Sequence, residues 1–197
     1  MESNSTTSPE PALEELERRM RQHATAVVSR QRAEQPGADE AATRRMVAFL
    51  KDKRYGVMAV TARVREQDPA ASPGQPWPVA YFVLNLKVAG DDGGELEQDT
   101  LAVAELFDHD NILSLRIGAP AMLIGTSRRQ GVAPAFGQRR AIQDITPASR
   151  TQDVLAAMHG RHFVVDGAQE LACPDSLFGI WGLKAVARNV RQRLHKA

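Results

Sequence analysis

Apolar residues return along the first part of the chain at intervals of three and four: Leu13, Leu16, Met20, Ala24 and Val27. That spacing lines one face of an α-helix. Ser8 is a suitable N-cap with Pro9 at the first helical position, so the pattern predicts a helix from Pro9 to about Ala33. Its other face carries Glu14, Glu17, Arg18 and Arg21. Ion pairs such as Glu14–Arg18 contribute only about 0.2–0.5 kcal/mol each, so the apolar stripe must hold this helix. Gln35-Pro36-Gly37 interrupts it, and a second helix is expected from about Ala38 to Lys53, with Ala42, Met46, Phe49 and Leu50 facing inward. The period then drops to two. Gly56–Val64 and Val79–Val88 read as strands, separated by a proline-rich loop over 65–78.

After the turn at Gly90–Gly94, a helix is expected over Gln98–Phe107, with Leu101, Ala104 and Leu106 apolar. Two strands follow, Asn111–Ile117 and Ala121–Thr126, joined tightly through Gly118-Ala119-Pro120. Residues 127–148 read as a long loop. Ser149 and Gln152 have capping-box spacing and open a helix ending at Gly160. His162–Val165 reads as a fifth strand, and Asp175 or Ser176 opens a last helix. Neighbouring strands joined by hairpin-like links give an α+β fold with a mostly antiparallel sheet of about five strands. Two N-terminal helices and a C-terminal amphipathic helix complete it. Residues 1–8 are expected as a disordered tail and 9–197 as one domain, with 9–53 a helical extension and 54–197 the sheet-containing core. No strand–glycine loop–helix unit is present, which argues against a dinucleotide-binding fold.

The 197 residues include 25 basic and 24 acidic side chains, for a net charge of +1. That balance hides a polarity. Residues 56–110 hold 3 basic and 10 acidic groups, whereas 111–197 hold 12 basic and 5 acidic ones. Such asymmetry suits contacts with partners. Cys173 is the single cysteine, which excludes an intramolecular disulfide framework. The start of the chain lacks the positive and apolar regions of a secretory signal, and the longest apolar runs fall far short of about 20 residues. A cytoplasmic protein is expected.

The segment most suggestive of chemistry is Gly125–Gly131 followed by Phe136–Arg140, with the mirrored pairs RRQG and GQRR. Guanidinium forks match phosphate or carboxylate oxygens, so Thr126, Ser127, Arg128, Arg129, Arg139 and Arg140 form a candidate anion- or ligand-binding group. In the last predicted helix, Leu177, Ile180, Trp181, Leu183, Val186, Val190 and Leu194 make an apolar stripe among cations. Trp181, Lys184, Arg188 and Arg191 are its candidate partner-binding residues. His159 and His162, with Asp108 and Asp110, hold metal-ligand residue types, but Gly160 breaks the helix between the histidines. Cys173 has no activating base beside it and reads as a small buried residue. No nucleophile elbow, P-loop or HExxH motif is present.

Within residues 47–125, the strand Val57–Thr61, the turn Gly74-Gln75-Pro76, the turn Asp92–Gly94, the helix Leu101–Phe107 and the strand Ile112–Ile117 follow one another in a familiar order. This order resembles the flavin-binding split barrels of the pyridoxamine-phosphate-oxidase type. The resemblance implies a barrel and a flavin phosphate held by Arg or Lys near Thr100. Here no Lys or Arg lies between Lys87 and Arg116, and Asp91, Asp92, Glu95, Glu97 and Asp99 would repel a phosphate. The sequence therefore points first to a non-enzymatic interaction or regulatory protein with no cofactor, acting through self-association or a protein partner. Binding of an anionic small molecule, nucleotide or flavin through Arg128–Arg140 is the alternative, and nucleic-acid contact a further one.

Overall fold

The computed structural model describes residues 9–29, 36–64, 78–87, 93–107, 109–128, 131 and 133–174. In chain order the elements are α1 (Pro9–Gln22), β1 (Thr25–Ser29), α2 (Pro36–Asp52), β2 (Gly56–Val64), β3 (Pro78–Leu84) and α3 (Gly94–Leu106). There follow β4 (Asn111–Leu115), β5 (Ala121–Gly125), β6 (Arg139–Ile142), α4 (Thr151–His159) and β7 (Phe163–Ala172). The seven strands form one sheet in the order β6-β5-β4-β1-β3-β2-β7, with every neighbouring pair antiparallel. The fold is α+β with an antiparallel sheet, as expected, but with seven strands instead of five. Among the described residues the sheet ends at β6 and β7 and does not close into a split barrel.

Side chains alternate across each strand and give the sheet two apolar faces. On one face Val27, Met58, Phe82, Leu113 and Leu123 pack beneath Leu16 and Met20 of α1 and beneath Val154, Leu155 and Met158 of α4. On the other, Val28, Val57, Tyr81, Val83, Ile112 and Ile124 meet Met46 and Leu50 of α2 and Leu96, Val103 and Ala104 of α3. Helices thus cover both faces, and each fully buried side chain of this size contributes about 1.5–3 kcal/mol.

The first helix stops at Gln22 rather than running to Ala33. Thr25–Ser29 instead forms β1, between β3 and β4, with all five residues buried. A strand covered on both faces has no polar side to reveal its period of two, so Ala24 and Val27 mimic a continuing helical stripe. The stretch 9–53 is consequently built into the sheet and is not an extension of it. Two further differences concern the later strands. β6 lies within the segment expected as a loop, and β7 runs on through Gly167 to Ala172, its register with β2 shifting at two places. The start of α3 falls at Gly94. Gly93 before it has φ +80°, and a Cβ there would stand 2.5 Å from that of Ala24, so α3 enters tight against the chain leading into β1.

Polar contacts tie the layers together. The Arg19 guanidinium is nearly buried and bonds Glu15 on its own helix and Glu170 on β7, each at 2.7 Å. Burial works against the Glu15 carboxylate, but hydrogen bonds from Arg18 and Arg19 outweigh it and hold its pKa below the ordinary value. Glu17 of α1 reaches the start of α4, where its Oε1 accepts from the Thr151 N–H at 3.0 Å and from the Thr151 hydroxyl at 3.2 Å. An acidic side chain from one helix thereby caps another.

Candidate functional site

The arginine-rich segment is held by β5 and β6. After β5 the chain turns inward: the Thr126 hydroxyl donates to the His109 carbonyl at 2.6 Å, and the Thr126 and Ser127 N–H groups both bond the Asp110 carbonyl. Both hydroxyl residues are buried. Phe136 bridges back to Gly125, and the Arg128 guanidinium lies 4.3 Å from the Phe136 ring centroid. The close return is possible only because Gly125 lacks a side chain, since a Cβ there would sit 2.2 Å from the carbonyl oxygens of Pro134 and Ala135.

Arg139 and Arg140 are consecutive on β6 and therefore point to opposite faces of the sheet. Arg139 bonds the Glu97 carboxylate of α3, whose second oxygen is buried without a partner among the described residues. Arg140 stands opposite Leu123, on the face covered by α1 and α4. The structure thus brings Arg128 to Phe136 and Arg139 to Glu97. It does not gather Thr126, Ser127, Arg128, Arg139 and Arg140 around one point. Arg129 lies outside the described residues, as do Trp181, Lys184, Arg188 and Arg191 and the helix predicted to carry them.

A second polar group sits where β1 ends. Ser29 Oγ and His159 Nε2 share a hydrogen bond of 2.6 Å, and His109 Nδ1 lies 2.9 Å from the Ser29 carbonyl oxygen. The edge of the His159 ring packs against Phe163, with centroids 5.4 Å apart. Burial pushes the His159 pKa below its ordinary value; Asp110 opposes the shift and Arg161 adds to it. The imidazole is therefore neutral near pH 7. A hydroxyl beside a neutral imidazole is the pairing of nucleophile and base, but Ser29 is only 1% exposed. The pair fastens the end of α4 to the end of β1. His162 is exposed beyond Gly160, and no group of three metal-ligating side chains converges among the described residues.

An opening suited to a ligand or partner lies on the opposite side, between α2 and α3. Ala41, Ala42, Arg45 and Phe49 face Ala102, Val103, Leu106 and Phe107 across a groove of about 510 Å³. Phe49 is 40% exposed and Leu106 76%. The acidic residues of α3 are largely engaged elsewhere: Glu95 with Lys87, Glu97 with Arg139, and Asp99 with Lys53 and the Tyr55 hydroxyl. What the groove presents is hydrocarbon, with Arg45 its one cation among the lining residues.

This groove is absent from the expectations drawn from sequence, which put Phe49 on an inward face and marked Leu106 only as apolar. A signal was available for Leu106. On α3 the buried positions are Leu96, Glu97, Thr100, Val103 and Ala104, at helical spacing, and Leu106 falls off that stripe. Among the described residues no helix is long and apolar enough to cross a membrane. Comparison with protein-family models, with curated proteins and with solved structures finds no match to this chain.

Proposed function

We propose that this protein acts through protein contacts, as an accessory or regulatory subunit, and that the groove between α2 and α3 receives an apolar polypeptide segment. The observation that carries this reading is the paired exposure of Phe49 and Leu106 over an apolar groove of about 510 Å³. A single exposed leucine is ordinary on a protein surface, whereas contiguous apolar lining on two helices is the form of a helix-in-groove receptor. Covering a leucine side chain contributes about 1.5–3 kcal/mol, so its loss weakens binding roughly tenfold or more.

The test places a photoreactive benzophenone side chain at position 49 or 106 of the full chain in cells. Adducts to a second polypeptide are expected from both positions, mapping by mass spectrometry to an apolar segment. They should diminish when Ala102→Glu puts a charge into the groove. Position 152, exposed on α4 across the sheet, serves as the control. Adduct yields at 49 and 106 no higher than at 152 would overturn the proposal.

A further inference from the structure

We infer that the groove between α2 and α3 is covered by the same face of a second copy of this chain, about a two-fold axis that runs along the groove. This rests on the reading of the groove as a receiving surface and names what it receives. Helical spacing sets what the two helices present outward. On α3 the buried stripe is Leu96, Glu97, Thr100, Val103 and Ala104, so Ala102 and Glu105 fall away from it, and both are exposed. On α2 Met46 and Leu50 are buried, while Arg45 is exposed one turn before Phe49. Arg45 and Glu105 pair with no opposite charge among the described residues. Their neighbours do: Arg44 with Glu40, Glu95 with Lys87, Glu97 with Arg139 and Asp99 with Lys53.

The two unpaired charges stand on opposite walls at nearly the same height. α2 follows β1, which ends at Ser29, and α3 precedes β4, which starts beside that end at Asn111, so the helices run in opposite directions. Lys53, one residue past α2, reaches Asp99 at 3.3 Å and fixes their relative height. One turn back along α2 and one turn on along α3, Phe49 stands level with Val103. A further turn brings Arg45 level with Phe107, within about half a turn of Glu105.

A two-fold axis along the groove exchanges its walls without moving anything lengthwise. α2 of each copy then lies over α3 of the other. Arg45 meets Glu105 of the second copy, twice by symmetry. Exposed Phe49 lies over Ala102, and exposed Leu106 over Ala42 and the methylene stem of Arg45. Large side chains thus meet small ones and each cation meets a carboxylate, which is the self-complementarity a two-fold contact requires. An axis across the groove lays α2 on α2 instead. Arg45 lies midway between Ala41 and Phe49 on that wall, so that arrangement sets the two Arg45 side chains against each other.

The experiment is light scattering on the full chain at rising concentration. Folding of each variant is checked by circular dichroism in solution dilute enough to dissociate the parent. The parent should pass from monomer to dimer, and Leu106→Asp should remain a monomer. Arg45→Glu alone and Glu105→Arg alone each put like charges at both contacts and should weaken the dimer several-fold. Mixed together, those two variants should pair with each other, because every contact then joins opposite charges. The chain carrying both changes should dimerise as the parent does.

A parent that stays monomeric at the highest soluble concentration overturns the inference. So does a dimer indifferent to Leu106→Asp and to both charge reversals, or two reversed chains that fail to pair when mixed. If the inference fails while benzophenone at positions 49 and 106 still gives adducts to a different polypeptide, the groove stands as a receiving surface. Adduct yields there no higher than at position 152 remove both readings.

Discussion

Replacing Glu17 with alanine tests the tie between the two helices that share one face of the sheet. In the folded chain a single oxygen of Glu17 accepts both the backbone N–H and the hydroxyl of Thr151, a residue 0% exposed. The substitution leaves a buried donor pair at the start of α4 without its acceptor. Loss of a capping acceptor costs about 0.5–2 kcal/mol. Hydrogen bonds to a charged group are worth about 1.5–3 kcal/mol, and two bonds ending on one oxygen do not add in full. The expected destabilisation is therefore about 2 kcal/mol, which for a chain of this size lowers Tm by about 4–8 °C. Urea unfolding followed by circular dichroism measures it, with Glu14→Ala, on the exposed side of the same helix, expected to stay within about 0.5 kcal/mol of the parent. A double-mutant cycle with Thr151→Val isolates the hydroxyl bond, with an expected coupling of about 1 kcal/mol. If Glu17→Ala proves as mild as Glu14→Ala, or the cycle shows no coupling, the cross-helix cap contributes nothing and the reasoning is refuted.

Three other outcomes follow from the same geometry. Burial lowers the pKa of both His159 and His23 below the ordinary 6.5, so the unfolded chain takes up those protons first; stability is full above about pH 6.5 and falls as pH drops through the folded values. Urea midpoints taken from pH 8 to pH 5 should fall accordingly and flatten in the His23→Gln, His159→Gln chain, and an unchanged slope in that chain would count against it. Gly125→Ala forces a Cβ onto two backbone carbonyl oxygens that no side-chain rotation can relieve, and should cost about 3 kcal/mol, read as a lower urea midpoint. Leu106→Asp should leave the urea midpoint within about 0.5 kcal/mol of the parent while reducing capture at the groove, since Leu106 is 76% exposed; a large loss of stability would show that its side chain is part of the core.

What the sequence concealed follows a physical pattern. β2 and β3 were legible because each is a run of seven or more residues rich in β-branched or aromatic side chains, bounded by turn-forming residues. β1 was not, because Ala26, Val27 and Val28 are apolar on consecutive positions, and five buried residues fit a helix face as well as a doubly covered strand. β6 escaped for the opposite reason: Arg139 and Arg140 carry no apolar signal, and charged residues are common on a sheet edge. For the candidate site, the arginines were visible as residues, but the alternation that sends Arg139 and Arg140 to opposite faces requires knowing that they form a strand. The groove needed more still. It exists only because α2 and α3 lie on the same face of the sheet, which is a property of topology and of no single segment. The cap of Glu17 on Thr151 spans 134 positions and leaves no local trace.

The position of β1 has a consequence for how the molecule assembles. On one side of it, β4, β5 and β6 follow one another as a meander; on the other, β2 and β3 are consecutive and β7 joins them. Among the described residues, β1 is the strand through which the sheet joins these two three-stranded blocks. It does so across long sequence separations, pairing Val28 with Tyr81 and with Ile112. Loop-closure entropy must be overcome before such contacts return any stability, so folding of this chain is expected to be limited by insertion of a five-residue strand between preformed blocks. A chain lacking residues 1–29 would then present two unmatched strand edges, and an added peptide carrying Thr25–Ser29 would act as its missing hinge pin.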